Sequence, residues 1–219
     1  WGYKTAGIFQ NTQEIDEWRA VGNGILQSNV QPGDVRFVDR NHDGQINDKD
    51  KVNLGNGTPD FTLGLNLGFV YKGFDFSIVA NGAFGQQIVQ SYRNHTRPTP
   101  NYTTAILDRW HGEGTSNRIP RVTDSNINYQ FSDLFIQNGD YLRLSTLTLG
   151  YDFAKLFKGK AVSQARLYFQ VQNLFTITGY DGMDPEIGFG SSNNSWVSGL
   201  DYGYYPRPRT VLVGVNLKF

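Results

Sequence analysis

From Val211 to Phe219 the odd positions read Val, Val, Val, Leu and Phe, and the even ones Leu, Gly, Asn and Lys. A period of two with one wholly apolar side predicts a strand that is greasy on one face only. The same period recurs upstream. Phe61, Leu63, Leu65, Leu67, Phe69 and Tyr71 alternate with Thr62, Gly64, Asn66, Gly68 and Val70. After Lys72-Gly73, the residues Phe74, Phe76, Ile78, Ala80, Gly82 and Phe84 alternate with Asp75, Ser77, Val79, Asn81 and Ala83. Two alternating runs around a two-residue turn predict a hairpin. Tyr141–Phe153 predicts a further strand, with Leu147, Leu149, Tyr151 and Phe153 on one face. Ala165, Leu167, Phe169 and Val171, alternating with Arg166, Tyr168, Gln170 and Gln172, predict another. Gly2–Phe9 reads as the end of a strand, and Gln13–Val21 as two turns of amphipathic helix.

The connections between these strands alternate short and long. Lys72-Gly73 and Lys155–Ser163 are short, whereas Gln10–Pro59, Gln86–Asn138 and Thr176–Arg207 are long and polar. Structureless connections beyond about 15 residues are unusual in compact soluble domains. Outer-membrane barrels show this asymmetry, with short periplasmic turns and long extracellular loops, and their strands need about 10 residues to cross. On that topology Tyr71, Phe74, Tyr151, Phe153 and Phe219 all fall at the periplasmic rim as one aromatic girdle. The fold class expected is all-β: the C-terminal strands of a large antiparallel transmembrane β-barrel with long extracellular loops. Five strands cannot close a barrel, for which about eight is the practical minimum. The chain therefore reads as a fragment, residues 1–219 being the C-terminal part of a barrel domain whose plug and earlier strands lie elsewhere.

Composition changes this picture little. The formal net charge is zero, so nothing favours nucleic acid as a partner, and the absence of Cys removes disulfide and thiol chemistry. Mean hydropathy is −0.45, which a wet lumen face explains in a barrel. His42, His95 and His111 are scattered without ligand spacing. Asp181, Asp184 and Glu186 form an acidic cluster of the kind that flanks a sugar bond in glycosidases, but Asp184-Pro185 reads better as the start of a turn, and no catalytic residue is assigned.

The sharpest local chemistry lies in residues 39–50, within the long segment 10–60. Asp39, Asn41, Asp43, Asn47 and Asp50 occupy positions 1, 3, 5, 9 and 12 of a loop, Gln45 position 7, and Gly44 the sharp turn at position 6. That is the spacing of an EF-hand-type calcium loop, although position 12 is Asp rather than Glu. A structural Ca²⁺ held by Asp39, Asn41, Asp43, Gln45, Asn47 and Asp50 is expected, against an ion-free series of Asx turns. Trp110, Trp196, Tyr202 and Tyr204 lie in the long loops, where aromatic rings either stack on sugar, meet a protein lid, or pack the loops together.

Several segments together resemble one family. Pro32-Gly33-Asp34-Val35-Arg36-Phe37-Val38-Asp39, Asn41-His42-Asp43-Gly44-Gln45-Ile46 and Leu54-Gly55-Asn56-Gly57-Thr58-Pro59-Asp60-Phe61 resemble a signature of SusC/RagA-like TonB-dependent transporters. So do Tyr141-Leu142-Arg143-Leu144, Gln172-Asn173-Leu174-Phe175-Thr176, Gly182-Met183-Asp184-Pro185-Glu186 and Tyr205-Pro206-Arg207-Pro208-Arg209-Thr210. The resemblance implies a plugged barrel of about 22 strands in the outer membrane of Bacteroidota. It implies TonB-powered import of oligosaccharides or peptides, with TonB contacted through the absent N-terminal region and a SusD-like surface lipoprotein as lid. Two rival readings stand beside it: a passive outer-membrane porin, and a soluble extracellular calcium-dependent carbohydrate-binding β-domain.

Overall fold

The computed structural model describes residues 1–21, 26–91, 104–154, 162–187 and 198–219. Its regular elements are β1 (Thr5–Ile8), α1 (Thr12–Val21), β2 (Val35–Phe37), β3 (Phe61–Tyr71), β4 (Phe74–Phe84), β5 (Gln87–Gln90), β6 (Ile136–Asn138), β7 (Tyr141–Asp152), β8 (Gln164–Thr178), β9 (Leu200–Asp201) and β10 (Thr210–Lys218). They fall into two compact units, one of residues 1–55 and 89–137, the other of 56–88 and 138–219.

The second unit is built on a five-stranded sheet, in the order β10-β8-β7-β4-β3, with every pairing antiparallel. Its register lines up the alternating positions. Leu67, Ile78, Leu147, Val171 and Val211 stand side by side across all five strands, and so do Phe69, Phe76, Leu149, Phe169 and Val213. The opposite face carries Gly68, Ser77, Thr148 and Gln170 in one row and Asn66, Thr146, Gln172 and Thr210 in others. The apolar face is not buried in a core. Leu65 is 43% exposed, Leu149 47%, Phe169 41% and Val213 70%. The two hydrophobic clusters found among the described residues contain no side chain of this sheet.

One feature of the pattern is broken on purpose. Leu142 and Leu144 sit at even positions, Leu147 and Leu149 at odd ones, yet all four face the apolar side. A β-bulge at Ser145, where the register against β4 slips between Val79 and Ala80, absorbs the extra residue and restores the parity. The hairpin turn Lys72-Gly73 has positive φ at both residues, 49° and 93°, which is the type I′ geometry that suits strand twist and favours Gly in the second place. At this end Tyr71, Phe74 and Tyr151 share one row, the Phe74 and Tyr151 rings lie 4.3 Å apart, and Tyr151 and Phe153 4.7 Å. Four of the five residues expected in the girdle thus gather at one edge of the sheet, whereas Phe219 lies beyond the last paired residue of β10, Lys218, and is 84% exposed.

Two expectations are corrected. Strand β8 runs on to Thr178, past the loop start expected at Thr176, because Phe175 and Ile177 continue the apolar row against Leu144 and Leu142. The stretch Gly2–Phe9 is not the end of a strand of this sheet. Its residues Thr5–Ile8 pair with Val35–Phe37 inside the first unit.

That unit, which the sequence presents as polar and irregular, has small cores of its own. Tyr3, Val35 and Phe37 pack with Ile46 and Leu134, and Phe9, Ile15 and Val30 with Trp18 and Ile127. Ile15 anchors α1, whose other faces are mostly exposed. A buried ion pair ties the unit across the chain. Asp34 is fully buried, accepts from Arg121 Nε at 2.7 Å and from Asn128 Nδ2 at 3.1 Å, and also receives the Gln31 amide. Among the described residues no helix is long and apolar enough to cross a membrane, which bears on helices alone.

Candidate functional site

The polar face of the five-stranded sheet carries the densest chemistry. Near the Lys72-Gly73 end, Arg166 on β8 reaches across β7 to Asp75 on β4, with Nε 2.7 Å from Oδ1 and Nη2 2.5 Å from Oδ2. The strand between them must be bare. A Cβ on Gly150 would collide with Asp75 Oδ1 and stand 2.7 Å from Arg166 Nε. Gly214 plays the same part for Tyr168, whose ring lies where a Cβ would be, while the Arg166 guanidinium sits 4.9 Å from that ring. Gly150 and Gly214 are thus set where long polar side chains lie flat along the wall, whereas a Cβ at Gly64 or Gly68 on the same face would meet nothing within 4 Å.

At the other end of β7 a second network forms. Arg143 donates from Nη2 to Asp184 Oδ1 at 2.5 Å, from Nη1 to Glu186 Oε2 at 2.8 Å, and from Nε to Thr176 Oγ1 at 2.9 Å. Arg207 Nη2 lies 3.0 Å from Glu186 Oε1, and the Glu186 amide donates to Asp184 Oδ1 at 2.9 Å. The Arg143 and Asp184 side chains are 5% and 6% exposed. Of the acidic cluster noted in the sequence, Asp184 and Glu186 are thus bound to an arginine, and their geometry is that of an anchor rather than a paired acid and base. Arg143 was not singled out from the sequence. In the sequence it stands in the Tyr141-Leu142-Arg143-Leu144 segment, in phase with the apolar Leu147 and Leu149 until the bulge is known, with no hint of a partner 41 residues away.

The Asp-rich loop belongs to the first unit. Asp39 Oδ2 accepts the Gly44 amide at 2.9 Å, Asn41 Oδ1 the Asp43 amide at 3.1 Å, Asp43 Oδ1 the Gln45 amide at 3.0 Å, and Asn47 Oδ1 the Lys49 amide at 3.0 Å. Gly44 has φ of 78°, the left-handed turn required at the sixth position. Asp50 is buried and used up by backbone: Oδ1 accepts from Arg40 and Asn41, Oδ2 from Asn47. The Asn41 side-chain amide, 2.8 Å from Oδ2, holds the Asp43 carboxyl below the usual carboxylate range, so it is ionised at neutral pH. Asp39 Oδ1 is buried and has no hydrogen-bond partner among the described residues. Among the described residues no three His, Cys, Asp or Glu side chains converge as a ready metal cage. The donors present are hard oxygens, part of them amide, which is the set Ca²⁺ accepts and softer metals do not favour.

The aromatic candidates are dispersed. Trp110 is half-buried with its ring on Gly33, Cζ3 lying 2.8 Å from where a Cβ would be, and Nε1 donating to Gln10 Oε1 at 3.2 Å. Tyr202 is 54% exposed, whereas Tyr204 is half-buried and donates its amide to Asp201 Oδ1 at 3.2 Å. Trp196 lies outside the described residues.

No protein-family model matches the chain. Over its whole length the chain is 33% identical to TonB-dependent receptor P3 of Formosa agariphila, of which it covers 22%. Over 89% of its length it is 31% identical to TonB-dependent receptor SusC of Bacteroides thetaiotaomicron, of which it covers 18%. Among solved structures it is similar to the RagAB peptide importer in its open-open state, with a TM-score of 0.66 at 21% identity, over all of this chain and 22% of that one. The chain thus spans about a fifth of the length of these relatives, and the shared fold makes the five-stranded sheet a stretch of a β-barrel.

Proposed function

The chain belongs to the SusC/RagA family of TonB-dependent transporters and forms part of the barrel, and from that premise we propose that the whole protein imports a bulky nutrient, an oligosaccharide or a peptide, across the bacterial outer membrane. The reading rests on one observation above all. The sheet has an apolar face with no core to cover it and a polar face lined by Asn66, Asp75, Asn81, Thr148, Arg166 and Gln170. A wall between hydrocarbon and a wet lumen asks for that division. The protein carries cargo and changes no bond; a SusD-like surface lipoprotein covers the mouth, and TonB supplies the work through a region outside this chain. The relatives named as TonB-dependent receptors and SusC, and the barrel of the RagAB peptide importer, support this reading.

Uptake separates an energised importer from a passive porin. In the source bacterium, deletion of this gene and deletion of TonB are expected to abolish uptake of the same fluorescent glycan or peptide pool. Uptake that is lost with the gene but persists without TonB would establish a porin instead.

The same reading gives the Asp39–Asp50 loop a structural role on the extracellular side, with Ca²⁺ held through Asp39, Asn41, Asp43, Gln45, Asn47 and Asp50. The unpartnered Asp39 Oδ1 and the left-handed turn at Gly44 support it. Chelation is expected to raise protease cleavage within 31–54, and Asp43→Ala to cleave as fast without chelator as the parent does with it. Equal cleavage in all four conditions would leave the loop an ion-free series of Asx turns.

A further inference from the structure

The segment that follows β8 turns back over the polar face. β8 ends at Thr178, but Asp184 and Glu186 reach Arg143, which is paired with Thr176, two residues below the end of the strand. Since Arg143 Nε donates to Thr176 Oγ1, the guanidinium and the two carboxylates on it lie near the Thr176 level, short of the end of the strand. Cross-strand pairing with Asn81 and Thr176 puts Arg143 on the polar side. Burial agrees with the cover: Tyr141 and Arg143, on that side of β7, are 8% and 4% exposed, while Leu149 on the apolar face of the same strand is 47% exposed. The descent is held by several bonds: the Arg143 fork on two carboxylates, Arg207 on Glu186, and Asn173 Nδ2 on the Pro208 carbonyl at 2.9 Å.

Resting on the importer reading, we infer that residues 180–187 and Arg207 fold inward at the extracellular mouth and form the inner wall of the passage there, pinned by Arg143. Cargo at this level meets Met183, Glu186 and Arg207 rather than the strand side chains behind them. Met183 and Arg207 retain 55% and 58% exposure, so both are open to whatever passes. The guanidinium of Arg207 keeps donors to spare beyond its bond to Glu186, which suits hydroxyl-rich or carbonyl-rich cargo more than apolar cargo. Arg143 is a positioning residue here, since it touches the segment and not the cargo.

The test uses the full-length transporter on intact cells, in a cysteine-free background to which the present chain contributes no Cys. Met183→Cys is compared with Leu107→Cys, whose parent side chain is 70% exposed in another long loop. Two membrane-impermeant maleimides are used, one small and one carrying a polyethylene-glycol chain too bulky to enter the mouth. Both positions should react with the small reagent, and position 183 several-fold more slowly than 107 with the bulky one. Adding Arg143→Gln, or Glu186→Gln with Arg207→Gln should the first variant fail to reach the surface, should release the segment and bring the two rates together. Bulky-reagent rates already equal in the parent background overturn the inward fold alone. Failure of both reagents at both positions on intact cells, with labelling after permeabilisation, overturns the extracellular topology and the inference with it.

Discussion

Replacing Arg143 by Met is expected to cost about 3–5 kcal/mol of folding stability, because it leaves the Asp184 carboxylate buried without its cation. The Arg143 and Asp184 side chains are almost wholly excluded from solvent, and Glu186 shares the same fork. A buried pair is not itself a large net gain. Its two desolvation costs nearly offset the attraction, and the damage comes from removing one member. Hence the triple variant Arg143→Met, Asp184→Asn, Glu186→Gln should recover most of the loss, and the two carboxamide changes alone should be damaging in their turn. Urea titration of the folded barrel, followed by the gel shift between folded and heat-denatured forms, reads all of them. Additive losses in the triple variant would mean that the three side chains act separately and that the anchor is an accident of proximity.

The second large effect concerns the apolar face. Leu65→Arg, near the middle of β3, is expected to lower stability in the bilayer by about 2–4 kcal/mol, whereas Asn66→Arg on the next residue should be nearly neutral. The parent Leu65 is 43% exposed in the chain described here. If that face met water, Arg at such a position would fall among surface substitutions worth about 0.5 kcal/mol or less. The pair of adjacent variants therefore separates a lipid face from a solvent face by sign and size, with the backbone held constant.

Much of the sheet was legible in the residues, because a period of two survives translation into structure wherever a strand is regular. Phe61–Tyr71 and Phe74–Phe84 are the elements the alternation predicts, joined by the turn that Lys72-Gly73 predicts. Legibility failed where parity breaks. Leu144 and Leu147 look out of phase until the bulge at Ser145 is known, and nothing in Ser145 announces it. It failed again where the determinants are remote. Asp34 and Arg121, or Tyr3 and Val35, find each other only in the folded first unit, so segments with no periodicity look like loop although they hold two cores. The Asp-rich loop lies between these cases. Its turn chemistry at Gly44 is written in the spacing, while the use of Asp50 as a backbone cap depends on how the loop closes.

Of the three roles open to the loop aromatics, Trp110 takes the packing one inside the first unit. An exposed-looking aromatic in a polar stretch is spent on covering Gly33, whose φ of 90° and bare Cα make room for the ring. Arg143, present in the sequence only as part of the Tyr141-Leu142-Arg143-Leu144 segment, holds Thr176, Asp184 and Glu186 together on the polar face.

Which solvent meets which side of the sheet decides whether it is a barrel wall. A spin label placed in turn at each position of Phe61–Tyr71, in the full-length protein reconstituted in lipid vesicles, measures it residue by residue through collision with oxygen, which concentrates in hydrocarbon, and with a water-soluble nickel complex. Oxygen access should peak at 63, 65, 67 and 69 and nickel access at 62, 64, 66 and 68. Nickel access equal or higher at the odd positions would put that face in water and contradict the barrel wall described here.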